Sequence, residues 1–193
     1  VWQVVLGITP ATVALFLLVA TALALTLALW AGRAPQSAAP RRTAGVLLGC
    51  WLLLVLVMTL APSQPIGSGD ATVWWLPGEG LFDPGAPLLP QELSMLVRQQ
   101  LTNAALFLPV PMLLRFALPG RSVAAAFLAG VGLCVLIEVA QLMMRAGRIA
   151  DVNDVLCGAA GTGIGLGLAA LARLAAAVMR RRGPRRRVAR AAP

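Results

Sequence analysis

The stretch SVAAAFLAGVGLCVLIEVAQLMM, residues 122–144, is apolar after its first residue except at Glu138 and Gln141. A helix needs about 20 apolar residues to cross a hydrocarbon core, so this stretch reads as a membrane span carrying a carboxylate and an amide within it. Ionisable groups at such depth are costly, and they mark where a membrane protein acts.

Working outward, four more blocks have the length and apolarity of a span: residues 10–31, 44–61, 101–118 and 155–178. The chain of 193 residues is 59% hydrophobic and only 12% charged, with a mean hydropathy of +0.84. That balance excludes an ordinary soluble domain. The expected fold class is all-α, a polytopic membrane bundle of about five transmembrane helices. The bundle takes residues 1–179, including an extracytoplasmic loop and approach helix at 62–100, and residues 180–193 form a basic tail.

Orientation follows from the arginines, which collect in cytoplasmic segments. Arg33, Arg41, Arg42, Arg115, Arg121 and the cluster from Arg173 to Arg190 fall on one side, and Arg98, Arg145 and Arg148 on the other. The bias predicts an outside N-terminus and an inside C-terminus. No positive charge precedes the first block and arginines follow it, so it reads as a retained span rather than a secretory leader. Asp70, Glu79, Asp83 and Glu92 fall in the segment assigned outside.

Histidine is absent and every basic side chain is arginine, so any chemistry must rest on carboxylates, amides, guanidinium groups or backbone. Cys50, Cys134 and Cys157 fall in or at the ends of spans without zinc-site spacing and are assigned to packing. No cofactor and no metal is expected. The tail RRRGPRRRVAR, residues 180–190, suits anionic lipid surfaces, and no aromatic platform accompanies it that would point to nucleic acid.

Residues 62–90 form a long connection rich in proline and glycine, with Trp74 and Trp75 adjacent and Leu81 and Phe82 nearby. Tryptophan is enriched at headgroup level, so this loop is expected to fold back onto the outer membrane surface. Residues 91–100 read as a helical approach to the third span, and Pro109 and Pro111 should bend that span.

The polar residues converge. At about 100° per residue, Glu138, Gln141, Arg145 and Arg148 share one helical stripe. Asp151 and Asp154 open the last span, on the face that carries Gly158, Gly161 and Gly165. Small residues allow close helix approach, so the aspartates should point into the bundle along a packed seam. Each is also a candidate helix cap. Asn103 enters from the outer end of the third span, one turn above Phe107. The candidate ligand-binding cluster is therefore Asn103, Glu138, Gln141, Arg148, Asp151 and Asp154, without assigned catalytic roles.

The ordered blocks NAALFLP (103–109), IEVAQ (137–141) and RIADVND (148–154) resemble the VanZ-like membrane proteins. In that family an Asn…Phe-x-Pro segment, an Ile-Glu-x-x-Gln segment and an Arg-x-x-Asp-x-x-Asp segment follow one another. The resemblance implies a small bacterial envelope protein of the plasma membrane, with a founding relative associated with teicoplanin resistance, and matching positions at Asn103, Phe107, Pro109, Glu138, Gln141, Arg148, Asp151 and Asp154. Two positions depart from the pattern: Pro111 replaces a glycine, and Gly158 replaces an asparagine. The expected partners are membrane lipids and a lipid-linked cell-wall precursor or lipoglycopeptide, with no nucleic acid. The competing readings are an intramembrane enzyme using carboxylates or a divalent cation, and a small transporter or assembly partner that dimerises along Gly161 and Gly165.

Overall fold

The structure is a computed structural model that describes residues 9–62, 64–78, 89–147 and 149–182. Arg148, the loop residues Glu79, Leu81, Phe82 and Asp83, and the tail from residue 183 onward lie outside the described residues.

Among the described residues six helices follow in order: α1 (Pro10–Arg33), α2 (Ala39–Leu60), α3 (Pro90–Phe107), α4 (Pro109–Ala117), α5 (Val123–Met144) and α6 (Val152–Arg182). Two short strands, β1 (Val73–Trp74) and β2 (Ala150–Asp151), lie between them. Helices α1, α2, α5 and α6 are each long and apolar enough to cross a membrane. The chain is thus an all-α, multi-pass membrane bundle.

The expected third span is the one that differs. It is two helices rather than one, α3 and α4, meeting at Leu108. Pro109 and Pro111 each remove a backbone donor and crowd the preceding turn, which is the physical reason for the break. The indole of Trp51 on α2 donates to the Leu106 carbonyl at 2.8 Å, so part of the polar backbone around the break is satisfied by a side chain.

Local chemistry sets the other helix starts. Thr9 and Thr12 form a reciprocal capping box at α1, Ser122 accepts from the Ala125 N–H at α5, and Glu92 accepts from the Leu89 N–H at α3.

Helix α6 packs against α1, α3, α4 and α5. Its contact with α3 and α4 is set by missing side chains: a Cβ on Gly161 would lie 1.9 Å from the Ala104 carbonyl oxygen, and one on Gly165 2.0 Å from that of Leu108. The expected glycine seam is therefore real, and it is filled from within the chain. Dimerisation along Gly161 and Gly165 is corrected accordingly, because that face is already covered by α3 and α4. One apolar cluster joins Ala24 and Leu27 of α1, Met112 and Phe116 of α4 and Ala172 of α6. Outward-facing Leu15, Leu18, Leu53, Leu128, Leu136 and Leu171 present an apolar exterior, as lipid requires.

Of the cysteines, Cys134 is buried and Cys157 partly buried, but Cys50 is exposed on the bundle surface. Its assignment to packing is corrected: α2 turns that side outward, where a small apolar side chain faces lipid at little cost.

Candidate functional site

The polar residues gather at the end of the bundle where α2 and α5 finish and α3 and α6 begin. Helix α5 stops at Met144 because Arg145 takes a left-handed conformation (φ 45°), and Gly147 (φ 72°) continues the turn. The expected stripe is therefore shorter than its sequence spacing suggests. Glu138 and Gln141 lie on the helix, whereas Arg145 is its exposed C-cap.

The loop that leaves α2 closes over this turn. Gly67 N–H donates to the Met144 carbonyl at 3.0 Å and Gly69 N–H to that of Arg145 at 2.8 Å. The Ala150 N–H donates to the Thr72 carbonyl at 3.1 Å, and β1 then pairs with β2 in parallel, Val73 opposite Ala150 and Trp74 opposite Asp151. A Cβ on Gly69 would fall 2.7 Å from the Gly147 nitrogen, so a glycine is what lets the two backbones meet. Trp75 and Leu76, next along the loop, are largely exposed.

Glu138 sits beneath this roof. Its Oε2 accepts from the Asp151 N–H at 3.1 Å, which brings α5 and the start of α6 together. Asp151 is buried, and its Oδ1 accepts from both the N–H and the side-chain amide of Asn153, each at 2.8 Å. This is a helix cap, as the position of Asp151 suggested, but a cap made from inside the bundle. Asn153 accepts in turn from the Gly78 N–H at 2.8 Å, so one buried amide links the cap to the covering loop.

Asp154 points the other way, toward α3. Gln100 Nε2 donates to its Oδ1 at 3.2 Å, and Gln99 and Asn103 also approach it. Two atoms there are buried without any hydrogen-bond partner, Gln100 Oε1 and Asn103 Nδ2. One is an acceptor and the other a donor. Gln141 is buried and donates to the Thr59 carbonyl at 2.9 Å, satisfying a C-terminal carbonyl of α2.

Below the carboxylates the site turns apolar. Gly158 is buried, and a Cβ there would lie 2.4 Å from Cys134 Sγ and 3.1 Å from the Phe107 ring. The departure from asparagine therefore goes with close apolar packing, and an amide would not fit as these helices sit. On the other side of α3, an apolar groove of about 700 Å³ runs between α1 and α3, lined by Val13, Leu17, Leu93, Val97, Arg98 and Leu101. Among the described residues, no group of three or more His, Cys, Asp or Glu is placed to hold a metal ion.

Of the residues expected at the site, Glu138 and Asp151 are joined by a hydrogen bond, while Asn103 and Asp154 adjoin each other across α3 and α6. Gln141 serves the end of α2, and Arg148 is outside the described residues. Sequence reasoning missed Asn153 and Gln100. Asn153 carries a signal, since it is an amide between two aspartates at a helix start; Gln100 ends the helical approach to the third span, where its spacing gives no sign of a site.

Residues 45–173 match the VanZ/LLP1 family. The chain belongs to the VanZ/LLP1 family. The matched region takes in α3 to α5, most of α2 and α6, and every described residue of the polar cluster. No curated protein and no solved structure matches the chain.

Proposed function

We propose that this VanZ/LLP1 protein binds an amphiphilic, lipid-linked ligand at the outer leaflet of a bacterial plasma membrane, and thereby alters sensitivity to teicoplanin-type glycopeptides. The reading is carried by Gln100 Oε1, an acceptor buried without a partner, beside an Asp154 carboxylate that the Gln100 and Asn103 amides face. Buried polar atoms are almost always satisfied, so an orphan acceptor next to a carboxylate is suited to a polar headgroup that brings hydrogen-bond donors. Glu138 and Asp151 hold the start of α6 in position, and the groove between α1 and α3 has the size and apolar lining for an acyl chain.

Lipidomics of material co-purified with the wild type and with Asn103→Ala and Glu138→Gln variants tests the reading. One headgroup class should be enriched in the wild type and reduced at least tenfold in Asn103→Ala at equal protein level. An identical lipid profile in all three proteins would exclude a ligand at this cluster.

A further inference from the structure

The opposite end of the bundle carries a second built feature. Segments 28–44, 113–124 and 170–182, which meet there, contain no Asp or Glu but hold Arg33, Arg41, Arg42, Arg115, Arg121, Arg173, Arg180, Arg181 and Arg182. Among them lies a cavity of about 320 Å³, whose walls include Gly32, Arg41, Phe116, Pro119, Arg173 and Arg180.

Three arginines from two helices thus face one space with no carboxylate beside them. Arg173 lies about two helical turns before Arg180, on the order of 10 Å deeper along α6. Its guanidinium is held rather than free. It lies 5.2 Å from the Phe116 ring centroid and donates to the Arg115 carbonyl. Arg115 itself is tied to the Arg121 carbonyl. Arg180 folds back across Gly32, where its guanidinium takes the space that a side chain would need.

Helix α2 starts at the same cavity, with Pro40 and Arg41 in its first turn and no acidic residue there. A helix start favours an anion through the positive end of its dipole; here Ala39 N–H donates to Ser37 Oγ and Pro40 has none, so the dipole and the Arg41 guanidinium make the contribution. A positive charge inside a spanning helix calls for neutralisation, yet the partners of Arg173 are a neutral carbonyl and a ring, and among the described residues no Asp or Glu lies at that end.

We infer that this cavity is an anion site that takes a phosphate group, presented either by an anionic lipid headgroup or as free phosphate. Planar guanidinium groups held in fixed orientation match phosphate oxygens by paired hydrogen bonds. The site is separate from the carboxylate cluster and does not depend on the role proposed for it.

The test is a titration of the full chain in detergent with phosphatidylglycerol, phosphatidylcholine or inorganic phosphate, following the melting temperature by tryptophan fluorescence. Phosphatidylglycerol or inorganic phosphate should stabilise the protein, and phosphatidylcholine should not. A response to phosphatidylglycerol alone assigns a lipid headgroup; a response to inorganic phosphate as well assigns a free anion. Replacing both Arg173→Gln and Arg180→Gln should weaken the response at least tenfold. The pair Arg33→Gln and Arg42→Gln removes equal charge from the same end without touching the cavity and should change it less than twofold. If the first pair fails to fold, the exposed Arg41→Gln takes its place in the comparison. Equal losses from cavity and control variants, or no stabilisation by either phosphate compound, overturn the proposal.

Discussion

At the scale of single residues, the bundle is set by what two glycines lack. Gly161 lies against the Ala104 carbonyl, so Gly161→Ala must push α3 away from α6. Overpacking of this kind costs roughly 1–3 kcal/mol. Thermal denaturation in detergent should show a lower melting temperature for Gly161→Ala. Gly163, with nothing near its missing Cβ, is the internal control, and Gly163→Ala should be neutral or raise stability by about 0.5–1 kcal/mol through helix propensity. Trp51→Phe keeps an aromatic side chain and deletes the donor to Leu106, so it should cost about 1 kcal/mol in the same assay.

At the scale of elements, the notable unit is the loop from residue 64 to 78, which is fastened to the α5–α6 turn by backbone bonds and by Asn153. Asn153→Ala removes the acceptor for Gly78 and one of the two donors to Asp151. Amide exchange should then speed up at residues 67–78 and stay unchanged in the middle of α2 and α5, since local opening needs only the loop's own bonds to break. This fastening was not legible in the sequence. A two-residue parallel strand shows no alternation, and its partner lies far along the chain, so neither periodicity nor spacing could reveal it. The break at Leu108 was legible, because proline acts through local backbone geometry. Glu138, Asp151 and Asp154 were also legible, since charge inside an apolar run stands out in the sequence. Asn153 and Gln100 were harder to read: an amide near a helix start belongs as well on a wetted surface, and only packing decides which way it turns.

At the scale of the whole molecule, the two ends are opposite in charge. Among the described residues the carboxylates lie at the end where α6 begins, and the arginines crowd the end where α6 finishes. By the bias of basic residues toward the cytoplasm, the arginine end should face inward. Single cysteines placed at Thr72 and Arg121 in intact cells test this, with a maleimide that cannot cross the membrane. Thr72→Cys should be labelled and Arg121→Cys should not; the reverse pattern would turn the bundle over and place the carboxylate cluster at the inner leaflet.

The central place of α6 bears on how the chain is made. Synthesis runs from α1 toward α6, yet α1, α3, α4 and α5 all rest on α6, which emerges after them. Until then Gln100 has no Asp154 to meet, and Gly78 of the loop has no Asn153 to hold it. The earlier helices therefore wait in the bilayer with polar groups unsheltered, and a nascent chain stalled before α6 is the species that membrane quality control would recognise.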